Sequence, residues 1–514
     1  MNPFRNLPIR TFDNEEDIAR VKASIDQIKS QQGREFPLII GDKTYTNDRK
    51  ARTINPSDSA QVLAVFQKAT QAQAEEAIQL ADDTFASWKQ TPVEKRADIL
   101  LKAADILRKR RDEAVATMIL ETAKNWIEAD ADFAEAVDFL EFYAREALRY
   151  AEKQPLIPFE GEEPELFYIP LGVGVVIPPW NFPLAILAGM TSAAIVAGNT
   201  VLLKPASDSP LTGQLFAEIM TAAGLPPGVL TYLTGSGGEI GDYLVEHPRV
   251  RFIAFTGSME VGLGIVERAA RLSPGQIWIK RVSVEMGGKD AIVVDEDADL
   301  EAAAEGVVAS AFGFQGQKCS ACSRLIVHEK VYSALMELVV NRTKAIQIGP
   351  AEDHHNFMGP VINQAALDKI RSYVEIGQQE GHLVTGGDRI GESGYFFEPT
   401  IFTDIQPDSR LAQEEIFGPV LAVIKAGNFD EAIDIANSTI YGLTGAVYSR
   451  NQEHLRQARE LFHVGNLYLN RKCTGAFVGV NPFGGFNMSG TDSKAGGRDY
   501  LGLFLQAKSV SRKL

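Results

Sequence analysis

GVGVVI at residues 172–177, TVLLKP at 200–205, VLTYLTG at 229–235 and VRFIAFTG at 250–257 are four short apolar runs rich in β-branched residues. A helical stretch separates each from the next. Residues 184–197 are apolar and small and end at Gly198; Ser207, Asp208 and Ser209 offer caps ahead of Pro210 for a helix that stops at Gly224; residues 237–248 and the stretch from about Ser258 form two more. Continuous apolar strands alternating with helices predict a parallel sheet covered on both faces. Right-handed crossovers make such a sheet doubly wound, and ligands collect at the carboxyl ends of its strands.

A second series starts at DAIVVD (290–295) and runs through the helix AEGVVASAF (304–312), the loop GFQGQKCSACS (313–323), the strand RLIVH (324–328) and the helix around 332–340. A domain boundary is expected near Gly287-Gly288. Upstream, residues 61–153 show charged and apolar positions at helical spacing and read as helix throughout. The tail from 501 to 514 is strand-like and suited to pairing with another subunit.

Composition bounds the function. The 514 residues are 45% hydrophobic and 23% charged, which suits a globular chain of more than one domain. With 51 Lys and Arg against 67 Asp and Glu, the net charge of −16 disfavours nucleic acid and anionic membranes as partners. The longest nearly apolar run, 184–198, is too short to span a bilayer. Three cysteines argue against a disulfide framework and point to the reducing cytoplasm.

Several residues at strand ends and loops can carry chemistry. Cys319 lies in a glycine-containing polar loop beside Lys318, whose charge would favour a thiolate. Cys322 forms a CxxC pair with it, but four-ligand zinc would need more than Cys473 and scattered histidines, so no metal is expected. Glu285 closes the β run of KRVSVEMGGK before two glycines, where a carboxylate can serve as a base. Asn181 in PPWNFP follows a strand end and can donate to an oxyanion. Lys204 ends TVLLKP and points toward the strand-end crevice. Ser258 in TGSMEVG caps a helix whose N-terminus suits a phosphate. Taken singly, each has a plainer reading as a core thiol, a solvated strand end or a turn residue.

The ordered set PWNFP, LKPAS, FTGSMEVG, VEMGGKDA, GQKCSACSR, EEIFGPV and NPFGGFNMSG resembles the signature of the aldehyde dehydrogenase superfamily over roughly residues 50–510. FGFQGQKCSACSR and NRKCTGAFVGVNPFGGFNMSGTDSKAGG are similar to one branch, the 1-pyrroline-5-carboxylate (L-glutamate γ-semialdehyde) dehydrogenases. The resemblance implies an α/β aldehyde dehydrogenase-like fold with two doubly wound domains and a small oligomerisation arm. It places an NAD(P)-binding domain at 1–147 and 167–286, a catalytic domain at 287–485 and the arm at 148–166 and 486–514. It implies Cys319 as nucleophile, Glu285 as general base, and Asn181 with the Cys319 N–H as oxyanion donors. Pro179, Trp180, Lys204, Ser207, Gly257, Ser258, Gly287, Glu415 and Phe417 would line the cofactor. Phe182, Ser320, Gly475, Ala476 and Phe483 would hold the substrate, with the N–H groups of Gly475 and Ala476 as a small anion nest.

Many strictly NAD-using relatives carry a glutamate where this chain has Ser207, so NAD is expected and NADP use stays open. The activity implied is oxidation of L-glutamate γ-semialdehyde to L-glutamate, late in proline degradation, by a cytoplasmic homo-oligomer. The alternatives are a dehydrogenase for another small aldehyde such as succinate semialdehyde, a CoA-acylating relative, and a noncatalytic protein that kept the fold. Intact Cys319, Glu285 and Asn181 speak against the last, and the base Glu285 against CoA acylation.

Overall fold

Two parallel-stranded sheets organise the chain in the computed structural model, which describes residues 3–514. The first has five parallel strands in the spatial order Arg281–Glu285, Val250–Thr256, Val173–Ile177, Thr200–Leu203, Leu230–Tyr232. The four apolar runs are thus its strands. Order reverses at Val173–Ile177, since one neighbour, Thr200–Leu203, follows it directly in sequence and the other, Val250–Thr256, comes three strands later. This is the switch point at which such sheets bind ligands. Gly174 is required at its centre: a Cβ there would lie 1.9 Å from the ring of Phe252 on the neighbouring strand.

The second sheet has seven strands, ordered His382–Thr385, Thr400–Thr403, Val420–Ala426, Cys322–His328, Asp290–Val294, Thr444–Tyr448, Asn466–Leu469. All its pairings are parallel except the edge strand His382–Thr385. The helix Ala185–Val196 is apolar all round and buried on nearly every side, as a helix between sheet and helical layer must be. Its Gly189 meets the ring of Phe139 from the helix Trp126–Ala151, so small residues set that contact.

The region read as helix from 61 to 153 differs at its start. Asp58–Gln67 is a strand, paired with Lys50–Asn55 and Arg34–Phe36. Its buried residues alternate too weakly to stand out from helical spacing, and cross-strand pairing decides. Helices then run Gln71–Trp88, Val93–Lys109, Arg111–Thr122 and Trp126–Ala151. The C-terminal strand Leu505–Lys513 pairs antiparallel with Glu162–Pro170 of its own chain. Among the described residues no helix is long and apolar enough to cross a membrane.

Candidate active site

The loop that carries Cys319 is held under strain. After the helix Leu300–Phe312, Phe314 and Gln315 take left-handed backbone angles, with φ of 50° and 57°. Each such non-glycine residue costs about 1–3 kcal/mol and persists only where its surroundings enforce it. Here the Gln315 amide donates to the carbonyls of Ala123 (3.1 Å) and Pro360 (2.8 Å) and accepts from Gly359 N–H. Gln317 accepts from Ile362 N–H at 2.9 Å. Gly316 is packed against the Gly418 carbonyl, where a Cβ would approach to 2.3 Å. The tight turn releases into the strand Cys322–His328 and leaves Cys319 partly open, while Cys322 and Cys473 are buried.

Asn181 follows the strand Val173–Ile177 and reaches the same loop. Its Nδ2 donates one hydrogen to the Gln317 carbonyl at 3.1 Å. The second hydrogen of that amide can serve an oxyanion on the Cys319 side. Burial pushes the Cys319 thiol well up, and Asp290, Glu415 and Glu285 add to the rise. Lys318 does not offset this as its neighbouring position suggested. Its ammonium pairs with Glu128 at 2.5 Å, on the helix Trp126–Ala151. Burial and the three nearby carboxyl groups thus favour the thiol form of Cys319.

Glu285 ends the strand Arg281–Glu285 and lines the same cavity as Cys319. Its carboxylate accepts from Gly485 N–H (2.9 Å), Ser493 N–H (3.1 Å) and Ser493 Oγ (2.8 Å). Gly490 lies so near that a Cβ would touch the carboxylate at 2.7 Å. Burial raises its pKa to about 7, partly countered by those donors. A carboxyl poised near neutrality is the right strength for a general base.

The strand-end crevice of the first sheet holds the residues expected at a dinucleotide. Lys204 is buried rather than solvated, its Nζ meeting the Pro205 carbonyl at 3.3 Å, and burial lowers its pKa to about 8. Ser258 caps the helix Met259–Ala270 by accepting from Val261 N–H at 3.4 Å. Ser207 is exposed in the loop before Pro210–Ala222. Gly287 and Glu415 touch each other: Gly288 N–H donates to Glu415 Oε1 at 3.1 Å, and a Cβ on Gly287 would sit 2.2 Å from Oε2. Phe417, with φ of 61°, packs edge-on against Trp180 at 5.6 Å, next to Pro179.

A cavity of about 120 Å³ opens onto Cys319 and Glu285, and Phe182, Ser320, Gly475, Ala476 and Phe483 all line it. Arg471 holds the carbonyls of Thr474 (2.7 Å) and Gly475 (3.0 Å), and Gly475 has a φ of 81°. Arg471 thus braces the turn that brings Gly475 and Ala476 to the cavity wall. The sequence reading missed Glu135 in the same wall. Burial raises its pKa to about 8, with Asp132 and Asp138 adding to the rise. It also missed Ser493, the anchor of Glu285. The sign of Glu135 was an acid inside the apolar run DFAEAVDFL, a pattern that also fits a solvated helix face.

The chain matches the model of the aldehyde dehydrogenase family over residues 44–510. It is 55% identical over 511 residues to a 1-pyrroline-5-carboxylate dehydrogenase from Geobacillus sp. (strain WCH70), covering 99% of each chain. A crystal structure of 1-pyrroline-5-carboxylate dehydrogenase from Thermus with bound NAD is similar at 52% identity and a TM-score of 0.98, covering all of both chains. A betaine aldehyde dehydrogenase from Staphylococcus aureus in complex with NAD+ shares 29% identity and a TM-score of 0.89, over 96% of this chain and 97% of that one.

Proposed function

The chain belongs to the aldehyde dehydrogenase family, and from that premise we infer the reaction of its site: NAD-dependent oxidation of L-glutamate γ-semialdehyde to L-glutamate, a step of proline degradation. The observation that carries this is one cavity lined by Cys319, Glu285, Ser320 and the turn at Gly475 and Ala476.

The residues present fit the cofactor. Lys204 is a buried ammonium with only a carbonyl contact at a strand end, and Glu415 crowds Gly287, where no Cβ fits. Lys204, Ser207, Gly257, Ser258, Glu415 and Phe417 would hold NAD, with Pro179, Trp180 and Gly287 forming its cradle. Bound there, the nicotinamide accepts the hydride.

In our reading the Cys319 thiol gives its proton to solvent, and the sulfur attacks the aldehyde carbon. The new oxyanion receives N–H donors from Asn181 and from the Cys319 backbone. Loss of the hydride leaves a thioester on Cys319. Glu285 then activates water, which releases the acid and the free thiol.

The substrate ends in an α-carboxylate and an α-ammonium. The carboxylate goes to Ser320 and the N–H groups of Gly475 and Ala476, and Phe182 and Phe483 flank the aliphatic chain. Glu135 is the acid available to the ammonium. Propanal, with no carboxylate, leaves those donors unpaired, at about 1–3 kcal/mol each, and succinate semialdehyde carries its carboxylate one carbon nearer the aldehyde and has no ammonium. We expect kcat/KM for glutamate γ-semialdehyde to exceed that for propanal or succinate semialdehyde by at least roughly tenfold, read as NADH formation, with L-glutamate as the product. Ser320→Ala should narrow that margin. Equal use of propanal would overturn the substrate assignment.

Ser207 carries a second expectation. NAD+ should be preferred, with measurable turnover of NADP+. Ser207→Glu should depress NADP+ use selectively through repulsion of the 2′-phosphate. Equal loss with both cofactors would show that position 207 does not face the adenosine ribose.

We assign residues 1–147 and 167–286 to cofactor binding and 287–485 to catalysis. The arm, 148–166 and 486–514, would join subunits of a homo-oligomer. Supporting this are the open edges of the ribbon formed by Glu162–Pro170 and Leu505–Lys513, and exposed Ile277 and Ile279. Three free cysteines suit the cytoplasm.

A further inference from the structure

Lys124 sits in the short link between the helices Arg111–Thr122 and Trp126–Ala151, and its side chain is fully buried. Its Nζ lies 4.1 Å from the ring centroid of Phe182 and 4.1 Å from that of Phe314. The nearest carboxylate oxygen, Asp132 Oδ2, is 3.5 Å away, and neither atom has a hydrogen-bond partner. The other oxygen of Asp132 accepts from Ala185 N–H at 2.6 Å. Burying an ammonium without hydrogen bonds is costly, and an apolar side chain would fill the same space more cheaply. Desolvated cations over aromatic faces, in contrast, are strongly attracted.

The two rings belong to the two halves of the site. Phe182 adjoins Asn181 and lines the substrate cavity. Phe314 is one of the two left-handed residues of the loop that presents Cys319. The residue before Lys124, Ala123, is itself left-handed (φ 56°) and accepts from the Gln315 amide of that loop.

We propose that Lys124 is a positioning residue whose ammonium, held between Phe182 and Phe314, clamps the cavity wall to the nucleophile's loop. Burial lowers the pKa of Lys124, whereas Asp132 and Glu128 favour its charge. The clamp fixes the distance between Cys319 and the bound aldehyde, so its loss should weaken productive binding more than it harms the fold. The inference rests on the cavity being the substrate site. If the unaltered protein fails to oxidise glutamate γ-semialdehyde, that reading falls first.

The test is steady-state kinetics of the full-length protein with glutamate γ-semialdehyde and NAD+. Lys124→Met should lower kcat/KM about tenfold, mainly through KM for the aldehyde, with KM for NAD+ unchanged and the thermal midpoint not lowered. Lys124→Arg keeps a cation over both rings and should recover most of the loss. Lys124→Met combined with Phe314→Leu should be no worse than the weaker single variant. Wild-type kinetics in Lys124→Met, an arginine variant as deficient as the methionine one, or multiplying losses in the double variant would each overturn the clamp. Should Lys124→Met not fold, Phe314→Leu alone decides: a raised KM for the aldehyde with KM for NAD+ unchanged supports the clamp, and unchanged kinetics contradict it.

Discussion

Cys319→Ala should remove aldehyde oxidation, by roughly 10⁴-fold or more, because the covalent route then has no nucleophile. Cys322→Ala should keep most of the activity. The two cysteines are three residues apart, but the turn at Gly313–Gly316 delivers only the first to the cavity. Cys322 begins a central strand of the second sheet, is 1% exposed, and its thiol donates to the Arg324 carbonyl at 3.4 Å. Its loss should cost packing rather than chemistry. NADH production by both purified variants checks this, and near-normal turnover in Cys319→Ala would exclude the thioester route.

Glu285→Gln should lower turnover by about 10²–10⁴-fold. The amide preserves the shape and can still meet Gly485 and Ser493, but it accepts no proton. The pH dependence supplies a second signature. A carboxyl with a pKa raised to about 7 is protonated, and useless as a base, below that pH, and ionised above it. Activity of the unaltered protein should therefore rise with pH through about 7. In Glu285→Gln that rising limb should vanish. A variant that keeps both the rate and the limb would show that another group takes the protons.

The strand-and-helix alternation from 172 to 262 was readable because buried parallel strands are continuous apolar runs with little else to be. The peripheral strand Asp58–Gln67 was not, because its residues are half-buried and its pairing partners are nonlocal. At the site, Cys319, Glu285 and Asn181 were legible as candidates from their place at strand ends and in a glycine-containing loop, while Glu415, and the choice of Cys319 over Cys322, came only from the family resemblance. What their neighbours do was not legible. Lys318 adjoins Cys319 in sequence, yet its ammonium turns to Glu128 on a helix some 190 residues earlier. Glu135, Lys124 and Ser493 enter the site only through tertiary packing, and no local pattern distinguishes them from ordinary helix or loop residues. Lys204 looked like a solvated strand end and is instead buried.

The account turns on a covalent bond between Cys319 and the acyl group of glutamate. Glu285→Gln, mixed with glutamate γ-semialdehyde and NAD+ and quenched in acid, should accumulate that species as water activation fails. Peptide mass analysis should then find a γ-glutamyl group on Cys319 and none on Cys322 or Cys473. NADH forming while Cys319 stays unmodified, or the acyl group appearing on another cysteine, would contradict it.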